Sequence, residues 1–222
     1  MNSPNEPTPS PESAAPMRTR PRIGRVPGSK NSVMQDRAVR TRQAIISVAA
    51  GHFDTDGYGH TSMNTITHTG KFAKGAMYYH FPSKEAIAQQ LIVDWNLAVD
   101  ESISDASRAA GTAFDRLTAI FSSLARKIVD DVHLRAGMKL TLEASIDNGA
   151  AFARWVDAIS AITETAITTG EIPDNPTAHR LAWNLCAGTI GAAHASATLR
   201  EDIDLATRIE DTVTAHLKST TA

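Results

Sequence analysis

The densest group of chemically versatile side chains lies between Lys74 and Glu85, in the run KGAMYYHFPSKE. Aromatic residues make up only 5% of the chain, yet two tyrosines, a histidine and a phenylalanine are adjacent here, with a lysine near each end. Lysine ammonium groups bind phosphates as point charges, and tyrosine hydroxyls donate hydrogen bonds to phosphates or sugars. The run therefore indicates either a surface that contacts a polyanion or a set of rings that belongs to a core.

Charge is unevenly distributed around this run. Up to Glu85 the chain carries 11 Lys and Arg against 6 Asp and Glu, whereas from Ala86 onward the counts are 11 and 18. A basic first part joined to an acidic remainder is typical of a protein whose N-terminal part meets a polyanion. Uneven surface charge without a partner would explain the same counts.

Catalytic and metal-binding patterns are weak. None of the eight histidines forms a pair at the spacing that metal ligands have on a helix, and neither HExxH nor CxxC occurs. Asp130, Asp131 and His133 could hold a metal, but we interpret them as a solvated helix junction. The single cysteine, Cys186, cannot form an intramolecular disulfide and lies among apolar residues, so we predict a core position. We expect no enzymatic activity, no metal and no cofactor.

Three segments differ in composition. Residues 1–33 contain seven of the ten prolines and few large apolar residues, which predicts a disordered basic tail. That tail could add phosphate contacts or could simply be solvated. Residues 34–82 and 83–222 predict two helical domains. No stretch approaches the roughly 18 apolar residues of a membrane span, and no hydrophobic signal region is present, so we expect a cytoplasmic, nucleoid-associated protein.

The elements that position the aromatic run are short helices. Apolar residues recur at helical spacing from Asp36 and stop at Gly57. A second helix is predicted from about Ser62 and a third from about Ala73 to His80, separated by a tight turn, which is a helix-turn-helix pattern. Ser83 is placed to cap the next helix.

The remaining sequence predicts helices throughout, and no alternating β pattern of any length appears, so the fold class is all-α. A long helix begins near Ile87 and passes Ile103. The other predicted helices are Ala113–Val129, Leu134–Ser145, Ala150–Thr169, Thr177–Thr198 and Asp202–Leu217.

With these residues laid out, the first domain resembles the TetR family of transcriptional repressors. The resemblance implies a homodimer that binds a palindromic operator in double-stranded DNA. It rests on Arg42, Ile45, Ile46, Ala49, Ala50, Phe53, Gly57, Tyr58, Thr61, Ser62, Ile66, the run Lys74–Phe81, Ser83, Lys84 and Glu85.

The resemblance also implies residue roles. Backbone contacts fall to Lys74, Tyr79, His80 and Lys84, and positions near bases fall to Lys71, Phe72, Gly75 and Tyr78. Met77 and Phe81 are expected to pack in the core. From its spacing, the first helix would add Arg37, Arg40 and Arg42 along one flank of the duplex, although a solvated helix face would explain the same residues. Thr61 and Ser62 at the start of the second helix complete the predicted contacts.

Two residues depart from the family pattern in the turn. Lys71 stands where Gly is usual, and a lysine in a left-handed conformation is strained unless Gly70 shifts the turn by one residue. Ala73 stands where Ser or Thr is usual and cannot cap the third helix with its side chain. We expect the DNA preference of this protein to differ here.

A second, narrower resemblance lies in the body. The run Leu134–Leu140, with Phe152 and Trp155 after it, is similar to the γ-butyrolactone receptors of actinomycetes, in which a tryptophan at the place of Trp155 lies over the ligand. It implies a small apolar effector with an oxygen function such as a lactone or furan. Further ligand candidates, each of which could instead be ordinary core, are Gln89, Trp95, Phe121, Thr141 and Trp183. The alternative is a regulator of efflux or metabolism genes that responds to an unrelated lipophilic compound.

The last two long helices are where the family dimerises. Small residues there would allow close approach of a partner's helices, although tight packing within one chain explains them equally. They are Ala182, Ala187, Gly188, Gly191, Ala192, Ala193 and Ala195.

Overall fold

The computed structural model describes Met1, residues 29–198 and residues 204–221. Within these ranges the chain forms ten helices and no strand, which confirms the all-α prediction. The helices are α1 Ser29–Thr55, α2 Met63–Thr69, α3 Lys74–His80, α4 Lys84–Arg108, α5 Ala113–Asp130, α6 Val132–Leu140, α7 Ala151–Thr168, α8 Pro176–His179, α9 Leu181–Thr198 and α10 Leu205–Thr221.

Most helix ends follow the local signals in the sequence. The Ser62 hydroxyl accepts a hydrogen bond from the Thr65 amide at 3.0 Å, and the Ser83 hydroxyl accepts one from the Ala86 amide at 3.1 Å. Each serine thereby satisfies one of the amides that a helix N-terminus leaves unpaired. These two caps fix the starts of α2 and α4, on either side of α3.

Three predicted boundaries need correction. Helix α1 already begins at Ser29, so residues 29–33 of the predicted tail are helical, while residues 2–28 lie outside the described part of the chain. Helix α6 ends at Leu140. The side-chain amide of Asn148 donates to the Thr141 carbonyl and holds the segment after α6 as a loop. The helix predicted over Thr177–Thr198 is divided into α8 and α9.

The apolar side chains form two cores. The first joins α1, α2 and α3 to the start of α4 and to α6, and it includes Ile45, Met77 and Leu91. The second fills the body between α4, α5, α7, α9 and α10, and it includes Trp95 and Trp155. The helix-turn-helix core is therefore completed by residues beyond position 82, and α4 and α6 contribute to both cores.

Candidate nucleic-acid interface and effector site

Helix α3 separates its side chains into two faces. Met77 is fully buried and Phe81 is 3% exposed, which confirms that both belong to the core. Tyr79 is 81% exposed and Tyr78 is 51% exposed, so both phenol rings stand in solvent. Large aromatic side chains exposed next to each other on a short helix are unusual unless they contact a partner.

The turn before α3 has its left-handed residue at Lys71, with φ of 52°. Gly70 keeps a right-handed conformation, with φ of −81° and ψ of −2°, so the turn does not shift to the glycine. Gly70 serves close packing instead, because a Cβ there would lie 2.0 Å from the Phe72 ring. Ala73 occupies the N-cap of α3 and makes no side-chain capping bond, as expected from its side chain.

A groove of about 600 Å³ lies on the outer surface between α2 and α3. Lys71 and Lys74 line it together with Phe72, and both lysines are exposed. The sequence reasoning missed the residues that α2 contributes. Their spacing of i, i+3 and i+4 could have shown that they share one helix face; they are Asn64, Thr67 and His68.

The other residues predicted to contact DNA differ in how far they are exposed to solvent. Gly75, Arg37 and Arg40 are exposed and His80 is half-buried, so these positions stay in the proposed set. Ser62 is exposed, but its hydroxyl is already engaged in capping α2.

Three of the predicted DNA-contact residues also have partners inside the protein. Thr61 is 3% exposed and donates to the Gly57 carbonyl at 2.9 Å. The Arg42 guanidinium donates to the Gln90 side chain at 2.6 Å and lies 5.0 Å from the centroid of the Phe81 ring. The Thr61 hydroxyl is thus turned inward, whereas the Arg42 guanidinium keeps further N–H donors; the DNA contacts of both residues stay predictions.

Lys84 is the third of these residues, and its predicted phosphate contact stays a prediction. Its ammonium group donates to the Tyr58 carbonyl at 2.7 Å and lies 3.8 Å from the centroid of the Tyr58 ring. A cation over an aromatic face is attracted by the electron density of the ring. Lys84 therefore ties α4 to the segment between α1 and α2.

In the body, three predicted ligand residues come together. Trp95 of α4 and Trp155 of α7 form an edge-to-face pair with ring centroids 5.2 Å apart, and Phe121 of α5 lies 6.0 Å from Trp155. All three side chains are at most 2% exposed. Phe152 packs on Trp155 at 6.3 Å and extends the cluster by one ring.

The two indole N–H groups of this cluster have no hydrogen-bond partner, and among the described residues they are the buried side-chain polar atoms in that condition. Leaving such a donor unsatisfied costs about 1–3 kcal/mol. Contact with the face of a neighbouring ring offsets only part of such a loss, because an N–H···π contact is weaker than a hydrogen bond to an oxygen. The cluster therefore presents donors suited to an acceptor oxygen in an apolar setting.

The other three ligand candidates do not join this cluster. Gln89 is exposed and donates to the Asp147 carbonyl at 3.3 Å. Thr141 is buried, but its hydroxyl donates to the Met138 carbonyl at 2.7 Å. Trp183 is 58% exposed on α9. These three residues lie outside the aromatic cluster, and their ligand contacts stay predictions.

The run Leu134–Leu140 builds a junction between the two cores. The Asp54 carboxylate of α1 accepts from Arg135 Nε at 3.0 Å and from Lys139 Nζ at 2.8 Å, and we call these three residues the Asp54 clamp. Burial alone would raise the pKa of Asp54, but the hydrogen bonds and charges of Arg135 and Lys139 together lower it below its ordinary value.

Within the described ranges, 29–198 and 204–221, no group of three or more His, Cys, Asp or Glu side chains is arranged for a metal ion. His133 Nε2 lies 2.9 Å from the Ser47 hydroxyl, which links α6 to α1. Cys186 is buried, and burial raises the pKa of its thiol well above its ordinary value. Across the same ranges, no helix has the length and apolar character to cross a membrane.

A three-helix module with an exposed third helix, joined to a helical body that buries an aromatic cluster, defines the class of helix-turn-helix proteins with an additional helical domain. Residues 45–91 match the family described as bacterial regulatory proteins, tetR family. The N-terminal part of the chain is therefore similar to the TetR family over these residues.

One bacterial receptor protein is similar to a longer part of the chain. The chain is 32% identical over 140 residues to the A-factor receptor protein of Streptomyces griseus, a match that covers 62% of this chain and 48% of that protein. The chain thus spans about half the length of that relative.

Solved structures share the fold. A crystal structure of a γ-butyrolactone receptor described as an ArpA-like protein superposes with a TM-score of 0.66 at 21% identity, over 83% of this chain and 100% of that one. TylP, a TetR regulator from Streptomyces fradiae, superposes with a TM-score of 0.61 at 27% identity, over 82% of this chain and 87% of that one.

Proposed function

We propose that this protein is a ligand-responsive transcriptional repressor that binds a palindromic operator as a homodimer. We further propose that a small apolar effector with an oxygen function, of the γ-butyrolactone type, releases it from DNA. The observation that carries the DNA-binding part is the division of α3, in which Met77 and Phe81 are buried while Tyr78, Tyr79 and Lys74 face solvent.

On DNA, α3 would lie in the major groove. Its exposed tyrosines and Lys74 would contact phosphates and base edges, and Lys71 would add a charge at the turn. The groove residues Asn64, Thr67 and His68 would follow the adjacent backbone, and Arg37 and Arg40 of α1 would flank the duplex. Phosphate contacts supply affinity and register, whereas the residues near bases supply sequence preference.

Dimerisation would place two copies of α3 on successive turns of the duplex. The two glycines of α9 have different surroundings. A Cβ at Gly188 would lie 2.9 Å from Thr212 of α10, so that glycine serves packing within the chain. Gly191 has no neighbour within 4 Å of such a Cβ, and Trp183 is exposed on the same helix, so these two positions are available to a partner.

The aromatic cluster supports the effector part of the proposal. Its rings provide apolar surface, and the unpartnered N–H groups of Trp95 and Trp155 provide donors for a lactone oxygen. Similarity to proteins named as an A-factor receptor and a γ-butyrolactone receptor favours the same class of effector. To change operator occupancy from mostly bound to mostly free, the effector must prefer the released state by about 5.5 kcal/mol.

Selection of bound fragments from genomic DNA tests the DNA-binding part. We expect enrichment of an inverted repeat that the purified protein then binds with an affinity that falls steeply as salt rises. No enriched fragment, or binding that does not respond to salt, would refute it.

A release assay on the enriched fragment tests the effector class. A series of 2-alkyl- and 2-acyl-γ-butyrolactones is titrated into the complex, with a crude lipophilic extract as a parallel arm. Release by the lactones supports the proposal. Release by the extract alone would leave a TetR-type regulator of an unrelated lipophilic compound and overturn the lactone assignment.

A further inference from the structure

Asp54 lies in the last turn of α1, the helix that also carries Arg37 and Arg40. Its side chain is only 10% exposed, and its two carboxylate oxygens are bound by different cations of α6. Arg135 approaches one oxygen at 3.0 Å, while Lys139 approaches the other at 2.8 Å and also donates to the Asp54 backbone carbonyl at 3.1 Å. The C-terminal end of α1 is thereby held at a defined place on α6.

Arg135 extends this attachment to a third helix. Its Nη1 donates to the Ile128 carbonyl at 2.6 Å and to the Val129 carbonyl at 3.2 Å, at the C-terminal end of α5. A guanidinium group holds several acceptors in a fixed planar geometry, unlike the single point charge of an ammonium group. Arg135 therefore fixes the angle between α1 and the body, rather than merely adding attraction.

The surroundings of the clamp argue against a role in stability alone. Clefts of about 420 Å³ and 280 Å³ border it on two sides. A nearly buried ion pair adds little net stability, because desolvation of the charges offsets much of their attraction, but it does fix geometry. In a site with open space on both sides, loss of the ion pair would allow the helices to change their angle.

The clamp also lies beside the contact between α6 and α4. Gly137, between Arg135 and Lys139 in sequence, approaches α4 so closely that a Cβ would lie 2.3 Å from the Leu91 carbonyl oxygen and 3.1 Å from the Trp95 Cβ. A shift of α4 at Trp95 would therefore move α6, and with it the attachment of α1.

We propose that Asp54, Arg135 and Lys139 are positioning residues that set the angle of the DNA-binding domain on the body, and thereby the distance between the two recognition helices of a dimer. This inference rests on the proposed function and specifies how the body regulates DNA binding. It assigns these residues no contact with DNA or effector.

Operators of altered spacing test the inference without an effector. The full-length protein is titrated against the selected inverted repeat and against versions with one base pair inserted or deleted between the half-sites. Each change rotates one half-site by about 35° relative to the other. We expect the wild type to discriminate strongly among the three DNAs, and Asp54→Asn and Lys139→Gln to reduce that discrimination by about tenfold, within the usual range of coupling between sites.

The matched control is Glu101→Gln, which removes an ion pair between Glu101 and Lys127 that joins α4 to α5 within the body. It should leave the discrimination within about twofold of wild type.

The results separate a positioning role from a structural one. An equal loss of affinity for all three DNAs, or unchanged discrimination in folded variants, would overturn the inference. Circular dichroism at the assay temperature establishes folding, and Lys139→Gln, which keeps the Arg135 contact, serves if Asp54→Asn is unfolded. Failure of both variants to fold would also overturn it, because the clamp would then be a folding element. A wild type that binds no DNA would instead refute the proposed function.

Discussion

Gly137 of α6 lies directly against Leu91 of α4, so closely that a Cβ at Gly137 would come within 2.3 Å of the Leu91 carbonyl oxygen. The obstructing atom is backbone and cannot rotate away, so the glycine is required by the approach of the two helices. This contact is where the body, which contains the aromatic cluster, meets the helix that holds α1.

Gly137→Ala should force α4 and α6 apart and destabilise the protein by about 1–3 kcal/mol. Urea unfolding followed by circular dichroism measures the change. Gly51→Ala is the matched control, since Gly51 also lies within a helix but a Cβ there meets nothing within 4 Å. We expect that control to gain up to about 1 kcal/mol from helix propensity. Equal stability of the two variants would contradict the close contact.

Lys71→Gly should relieve the strain of a positive φ and stabilise the protein by about 1 kcal/mol, while it weakens DNA binding through the lost charge. Ala150→Gly is the control, because Ala150 has φ of 55° and lies at the start of α7, outside the interface. It should show a similar gain in thermal stability with unchanged DNA affinity. If Lys71→Gly binds DNA as well as wild type, Lys71 makes no productive contact.

Lys74→Ala should lower affinity for every DNA sequence alike and make the slope of log K against log salt shallower by about 2 per dimer, since one phosphate contact is lost in each protomer. Fluorescence anisotropy at several salt concentrations gives the slope. Arg126→Ala, at an exposed position of α5, controls for net charge and should leave the slope unchanged. A slope that does not change in Lys74→Ala would exclude a phosphate contact.

Trp95→Phe and Trp155→Phe each remove an unpartnered indole N–H and keep an aromatic ring. We expect apo stability to change by less than about 1.5 kcal/mol, because loss of ring volume and loss of an unsatisfied donor oppose each other. Affinity for a lactone effector should fall by about tenfold or more through the lost hydrogen bond. Trp183→Phe, outside the cluster, is the control in calorimetric titration. Unchanged effector affinity in both cluster variants would place the effector elsewhere.

The acid stability of the protein should depend in part on Asp54. Its pKa is lower in the folded protein than its ordinary value, so its contribution is present above about pH 4 and is lost as the pH falls through the folded pKa. Urea midpoints measured from pH 7 to pH 3 should therefore fall more steeply for wild type than for Asp54→Asn. Parallel curves would show that the clamp does not favour the ionised carboxylate.

Local signals in the sequence predicted the helical elements well, because caps and turns depend on residues close together in the chain. Ser62, Ser83 and Ala73 behave at the helix starts as their side chains dictate. Met77 and Phe81 were expected to pack in the core, and both are buried. The start of α1 was misplaced, since the polar residues before Asp36 carry no apolar stripe to mark the helix.

Hydrogen-bond partners that are distant in the sequence could not be predicted from such local signals. Arg42 and Lys84 were expected to meet phosphates, but each has an internal partner, Gln90 and Tyr58, that is distant in sequence. The sequence shows that a cationic side chain is present, but it does not show which acceptor lies beside that side chain in the fold. Trp183 was grouped with the other large rings by size alone, and only its exposure on α9 separates it from them.

The sequence by itself determined an all-α chain and a helix-turn-helix module with an aromatic third helix, because these depend on periodicity and capping. The structure placed the left-handed conformation at Lys71, where the sequence had left open a shift of the turn to Gly70. Tertiary structure decided the pairing of Trp95 with Trp155, the approach of Gly137 to Leu91 and the binding of Asp54 by Arg135 and Lys139. Those contacts join residues on different helices, so their existence depends on how the helices pack and not on the order of residues within any one of them.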